Sequence, residues 1–444
     1  MSTPPPTPPT TRPKRRWLSV IALSAAAFID SSENDAFSIL WPNMFPTLGL
    51  RVGQLGSILG ISDLIRTLTT PFWGYAADRL SRKTLLVGIT GFWGAWTASI
   101  ALAHNLSELL IVRIISSLGL GVLWPAAFSL LSDLFESKER GRAAGIMTAV
   151  SFSGVIASYA ILPPIAVLSP EAWRWGFVIM GAASVITGLF LLVLNDPPRG
   201  SAEAELKDVI TAETATRYAF RLVDLPLIAR VKSWWVLLFQ NSIDNIALAV
   251  LYGWSFTWLD GLGLGEAAFI VVALLTLGTL LGHAFFGWLG DVLENRFPKH
   301  GRTTMALVGL LCSIPALTCL IALGNRGVGT LMVFGLLSGL GLSSVDTGAR
   351  WPIAQAVLRP ELRATGRAAL DMAIGVVGSL AMAFSSRLVD AFGGNVSAML
   401  LILIPLPKLL STLLWLPMFR TYPQDRLVLH EVLSDRRKKI TGIF

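Results

Sequence analysis

Residues 74–86 read GYAADRLSRKTLL, and residues 287–305, GWLGDVLENRFPKHGRTTM, repeat their pattern: a glycine, an aspartate four residues on, then a run of bases. Each stretch follows one apolar run and precedes another. A second pair obeys the same rule, ESKERGRAAGI (136–146) and RPELRATGRAAL (359–370). Inside the apolar runs, FID (28–30) recurs as SID (242–244) and SLGLG (117–121) as GLGLS (339–343). Features that return in order, once per half and with the same sidedness, describe a parallel duplication.

The composition sets the solvent. Of 444 residues, 53% are hydrophobic and 14% charged, against about 25% charged in an ordinary soluble domain. Mean hydropathy is +0.63. Such a chain cannot cover a water-facing surface, so a lipid bilayer is its expected surrounding. Runs of about 20 apolar residues, enough to span a bilayer, begin near Trp17, Gly53, Thr84, Glu108, Gly141, Ala172, Ser233, Glu266, Thr303, Val328, Gly366 and Asn395. The expected fold is an all-α membrane protein of twelve transmembrane helices in two six-helix halves, 17–194 and 233–419. A polar linker (195–232) joins them, between tails 1–16 and 420–444. The basic cluster and apolar run at the start also resemble a signal peptide. That run continues past its acids through Phe37–Trp41, which predicts an uncleaved first span.

Net charge is +8 and pI 9.8. The bases crowd the loops on the side of the N-terminus, while the opposite loops hold only Arg51, Arg174, Arg326 and Arg387. That asymmetry predicts cytoplasmic termini in a plasma or bacterial inner membrane. The basicity thus reports topology, and no nucleic-acid partner is expected. Cys312 and Cys319, seven residues apart on one helix face, are expected as buried filler, too far apart to bond each other.

The first repeated stretch resembles the signature G-x-x-x-D-R-x-G-R-K/R of the major facilitator superfamily, through Gly74, Asp78, Arg79, Arg82 and Lys83, departing at Ser81. With the second-half copy (Gly287, Asp291), the chain resembles that family over nearly its whole length. DPPRG (196–200) and PELRAT (360–365) are similar to its spinster-like group. Arg113 fits the start of that group's R-x-x-x-G-x-G-E pattern, but Ser117 replaces the first glycine and Leu120 the acid. The resemblance implies alternating access, a site between the halves, and a loop cluster that clamps them when the cytoplasmic side is shut. A spinster-like relation would imply an amphipathic lipid such as a lysophospholipid. Gly74 and Gly287 are expected to allow close helix approach, and Asp78 to accept hydrogen bonds from a neighbouring helix N-terminus.

An ionisable side chain within a span should face the bundle interior or a watery cavity. Asp30 lies about 20 Å along the first helix, and Asp30, Glu33 and Asn34 share a face by their i, i+3, i+4 spacing. Asp35 points elsewhere and is expected to be hydrated near the outer interface. Asp30, Glu33 and Asp244 are the proton-coupling candidates; the alternative is structural pairing with intramembrane bases. Those bases are Arg66, Arg113, Arg350 and Lys408. Asp63–Arg66 and Asp346–Arg350 have spacings that permit same-face ion pairs, and Lys408 has no acid in its own helix. Arg66, Arg113, Asp63, Arg350, Lys408 and Trp124 are the substrate-binding candidates. Trp124 and Trp351 each precede a proline in corresponding spans. His283 reads as a packing histidine, and Trp17, Trp41, Trp173, Trp175 and Trp415 as an interfacial belt.

No G-x-x-x-x-G-K-[ST] motif, nucleophile elbow or H-E-x-x-H is present. ATP drive, enzymatic activity, a cofactor and a metal are therefore not expected. Intramembrane bases beside midplane acids predict a secondary transporter of a small organic anion or zwitterion, coupled to protons and acting as a monomer. The rival readings are the lipid carrier, a hydrophobic-drug/proton antiporter, and a non-transporting sensor or scaffold whose tail DRRKKITGIF docks a partner.

Overall fold

The computed structural model describes residues 16–135, 137–197, 225–359 and 362–441, and all regular structure among them is helical. The first half holds α1 (Arg16–Thr47), α2 (Gln54–Arg79), the composite rod α3 (Arg82–Leu102), α4 (Leu106–Gly119, then Leu123–Leu134), α5 (Ser137–Ala166) and α6 (Trp173–Phe190). The second holds α7 (Lys232–Gly261), α8 (Ala268–Arg296), α9 (Gly301–Ala322), α10 (Val328–Leu342, Asp346–Arg350, Trp351–Val357), α11 (Arg363–Ala391) and α12 (Val396–Leu403, then Pro405–Trp415). A last helix, α13 (Met418–Thr441), occupies most of the segment expected as a tail. The expected N-terminal tail and most of the linker lie outside the described residues.

Lipid offers the backbone no hydrogen bonds, so an apolar run must satisfy its own amides as a helix. Among the described residues nine helices are long and apolar enough to cross a membrane, and Val328–Leu342 is apolar but shorter. α1 and α2 are also long but carry the ionisable residues Asp30, Glu33, Asp35, Asp63 and Arg66.

The repeat is visible in the packing. α1 lies on α5, α2 on α4 and α3 on α6; correspondingly α7 lies on α11, α8 on α10 and α9 on α12. Between the halves, α2 meets α11, α5 meets α8, and α1 meets α7. The loops of one end carry most of the bases; residues 48–53 and 392–395 belong to the opposite, arginine-poor end.

Two expectations fail on burial. Trp41, Trp173 and Trp415 are fully buried core residues, not belt residues. Their indole N–H groups donate to the Val52 carbonyl (3.1 Å), Thr47 Oγ1 (3.0 Å) and the Thr303 carbonyl (2.9 Å), so no headgroup water is needed. Cys312 is exposed and Cys319 half-buried, where both were expected as filler. A face turned to lipid is as apolar as a core, so hydropathy cannot separate the two.

Candidate functional site between the halves

At the arginine-poor end α2 and α11 close tightly. Arg51 Nη1 lies 2.8 Å from Asp390 Oδ2, Ser57 Oγ donates to Ser386 Oγ at 2.8 Å, and Ser386 in turn donates to the Gly53 carbonyl. A Cβ on Gly56 would stand 2.5 Å from the Met382 carbonyl oxygen, and one on Gly60 2.6 Å from that of Ser379. Only glycine lets the two backbones approach this far. The basic end is different. A Cβ on Gly74 or Gly287 would meet nothing within 4 Å, so neither glycine brings helices together here, against expectation.

The polar face of α1 works inward from this seam. Arg66 donates to Asn34 Oδ1 and pairs with Asp63 at 3.2 Å, and both members of that pair keep about a third of their side-chain surface. Asp30 is half-buried, with the Arg66 charge acting on it, and lines a slot of ≈ 10 Å³ with Glu33, Thr90, Gly94, Ser116 and Ser184. That is room for about one water. Glu33 is buried behind it and accepts from Thr97 Oγ1, which lies 3.2 Å from Ser116 Oγ. Arg113 is 1% exposed, with its guanidinium 5.1 Å from the Phe37 ring centre. Among the described residues its Nε and Nη1 have no hydrogen-bond partner, and the charges acting on it are Asp63, Arg66 and Glu33. Thus Asp30, Glu33, Asp63, Arg66 and Arg113 converge, but only Asp30, Asp63 and Arg66 are reachable in this state. Asp35, expected to be hydrated, instead accepts from the Tyr159 hydroxyl of α5 at 2.9 Å and from Asn34 Nδ2 at 3.3 Å.

In the second half the charges are paired off. Lys408 Nζ contacts both carboxylate oxygens of Asp244 at 2.8 Å, and Ser411 Oγ donates to the same carboxylate at 2.8 Å. Lys408 is 1% exposed. It stands one turn beyond Pro405, where α12 restarts. Arg350 pairs with Asp346 within a π-helical turn, in which Arg350 N–H reaches back five residues to the Val345 carbonyl at 2.7 Å. Such turns aim side chains out of helical register. His283 Nδ1, read as packing, lies 4.0 Å from Asp346. Trp351 sits between the guanidinium groups of Arg350 (4.5 Å) and Arg367 (4.2 Å), whereas Trp124 stacks on Phe128 of its own helix at 5.6 Å.

The basic loops hold two anchors that composition alone does not reveal. Arg82 is 2% exposed and donates through Nε to Asp196 Oδ1 (2.9 Å) and through Nη2 to the Pro197 carbonyl (2.6 Å). Ser81, the residue that departs from the signature, donates to Asp196 Oδ2 at 3.0 Å and caps Thr84 N–H. In the second half Arg302 bridges Asp291 and Glu294 and donates to the Gly348 carbonyl at 2.8 Å. Glu294 also accepts from Tyr422 and Arg426 of α13, each at 2.9 Å. Asp196 and Arg302 were missed as motif partners; their charge and position in the repeat were the available signal. Among the described residues the Lys83 side chain makes no such bond; its amide points at Asp196 (3.4 Å). The side chains of Asp78 and Arg79 lie outside the described residues.

Two sets of helices with equivalent packing, closed together at one end over converging intramembrane charges, define an integral membrane protein with a site between its halves. The Major Facilitator Superfamily model matches residues 23–381, and the chain belongs to that family. It is 25% identical over 318 residues to a probable sulfoacetate transporter of Cupriavidus necator, covering 68% of this chain and 72% of the relative. It is 25% identical over 341 residues to a probable L-galactonate transporter of Escherichia coli (73% of each chain), and 27% identical over 292 residues to a gentisate transporter of Corynebacterium glutamicum (63% of each). The fold is similar to that of a bacterial homologue of the human lysosomal transporter Spinster, solved inward-facing and unoccupied. The TM-score there is 0.75 at 18% identity, over 96% of this chain and 99% of that one.

Proposed function

We propose that this transporter carries a small organic anion or zwitterion across a plasma or bacterial inner membrane by alternating access, coupled to protons. The observation that carries the reading is the reachable Arg66 guanidinium beside the slot that holds Asp30 and Glu33. Arg66 is the first contact of the anion, and Asp63 is the carboxylate the anion displaces. Arg113, with two donors unused, completes the anion site when the halves rearrange. Asp30 and then Glu33 take the proton. In the second half Asp244–Lys408 and Asp346–Arg350 hold helices together rather than bind substrate. The probable sulfoacetate and L-galactonate transporters and the gentisate transporter are all named for organic acids, which supports an anion over the lipid that a spinster-like relation implies.

The remaining parts of the reading are topological. The chain has twelve spans, α1 to α12, with both termini cytoplasmic and the basic end facing the cytoplasm. The state described here is then inward-facing, and Gly74 and Gly287 come into contact only when the cytoplasmic side shuts. The carrier acts as a monomer.

The test is proton movement in proteoliposomes containing wild type or Asp30→Asn, with a pH-sensitive dye inside and a panel of organic anions and lysolipids outside. An organic acid should drive proton flux that the variant loses. Flux driven by a lysolipid alone, or flux of an acid independent of pH and of Asp30, would sink the reading.

A further inference from the structure

A continuous polar chain leaves the Arg66 site and ends at the closed gate. Arg66 Nη1 donates to Asn34 Oδ1, Asn34 Nδ2 donates to Asp35 Oδ1 at 3.3 Å, and the Tyr159 hydroxyl donates to Asp35 Oδ2 at 2.9 Å. Tyr159 is 2% exposed and its ring lies 5.2 Å from that of Phe256, which belongs to α7 in the other half. Thr276 of α8 stands beside the hydroxyls of both Tyr159 and Tyr252, and Tyr252 is 3.0 Å from Thr279 Oγ1. The charged groups that act on Asp35 are Arg66 and Asp63. Four side chains from α1, α2 and α5 thus join the reachable guanidinium to a place where α5 touches the second half.

We propose that Arg66–Asn34–Asp35–Tyr159 is a latch that ties the state of the Arg66 guanidinium to closure of the arginine-poor end. Unengaged, Arg66 holds Asn34, Asn34 and Tyr159 hold Asp35, and Tyr159 is fixed in the ring pose that meets Phe256. An anion that draws Arg66 away removes the first bond, leaves Asp35 free to turn, and loosens Tyr159 against α7 and α8. The seam from α2 to α11 then loses its companion on the opposite side of the bundle. This rests on the anion reading only in naming what engages Arg66; the latch itself exists without substrate.

The gate is therefore tested with no substrate present. In the full chain with Cys312→Ala and Cys319→Ala, Ser386→Cys places one thiol in the closed α2–α11 seam, where Ser386 is 5% exposed. The rate of maleimide labelling of the purified protein then reports opening of that end. Tyr159→Phe keeps the ring and removes one hydrogen bond to a carboxylate, so labelling should rise roughly tenfold. Arg66→Gln and Asn34→Ala should each raise it, and Arg66→Gln combined with Tyr159→Phe should gain less than the product of the two separate effects. Labelling of Tyr159→Phe at the parent rate overturns the latch. So does an Arg66→Gln effect that multiplies independently with that of Tyr159→Phe. Because no anion is added, failure of the anion reading leaves this measurement intact, and failure here leaves anion transport standing.

Discussion

Asp30 and Asp244 occupy matching places in the repeat, three residues into FID and SID, and live differently. Asp244 meets Lys408 through both oxygens and takes a third bond from Ser411. Asp30 faces a slot with room for about one water and feels Arg66 from a neighbouring helix. The difference lies in the helix that closes each half. α12 supplies Lys408 one turn beyond its proline, whereas α6 has no base between Trp175 and Phe190. A carboxylate with a buried lysine against both oxygens is fixed in place. One that borders a water-sized slot keeps an open face. Duplication supplied the same position twice, and the partner helix decides which copy is bonded to a buried cation.

Breaking the second-half pair should give the largest effect on the folded protein. Lys408→Met leaves the Asp244 carboxylate buried without its cation, and removing one member of a buried pair costs ~3–5 kcal/mol. Asp244→Asn leaves the lysine in the same difficulty. The double variant Asp244→Asn, Lys408→Met should regain most of the loss, because both charges leave together. Thermal unfolding of the detergent-solubilised protein reads all three. Equal, small shifts would mean that the pair is hydrated and belongs with the working charges.

In the first half the same kind of substitution should spare the fold and strike binding. Arg66 keeps a third of its surface and is shared between Asp63 and Asn34. Arg66→Gln should weaken anion binding by about 10- to 100-fold, the worth of a charge-assisted hydrogen bond of ~1.5–3 kcal/mol. Its unfolding temperature should move far less than that of Lys408→Met. Equilibrium binding of the anion identified by the flux assay provides the check. Unchanged affinity would remove Arg66 from the site and leave the two halves alike.

What the sequence disclosed of this contrast followed sequence distance. Asp63–Arg66 and Asp346–Arg350 were legible because helical spacing alone brings residues three and four apart together. The duplication was legible because its loop motifs keep their order. Asp244–Lys408 spans 164 positions and Tyr159–Asp35 spans 124, so their meeting depends on which helix lies beside which. The π-helical turn at Asp346–Arg350 has no local signature beyond the glycines that precede it. Trp41, Trp173 and Trp415 misled for another reason: a tryptophan at a span end is anchored as well by a carbonyl or hydroxyl of the protein as by a headgroup.

The smallest effect concerns the two ends of α2. At the closed end, Gly56 and Gly60 touch the α11 backbone; at the basic end, Gly74 faces open space. Gly74→Ala adds a methyl where nothing resists it and improves helix propensity, so stability in this state should change by no more than ~0.5–1 kcal/mol, in the favourable direction. Gly60→Ala must push on the Ala383 amide and the Ser379 carbonyl, each 2.6 Å from the new carbon, and should destabilise. If Gly74 meets a partner helix only when the basic end shuts, Gly74→Ala should also slow exchange between states while raising the unfolding temperature slightly. A variant with raised stability and slowed transport ties that glycine to the state not seen here. One with raised stability and normal transport leaves the glycine as a residue of no consequence at either end of the cycle.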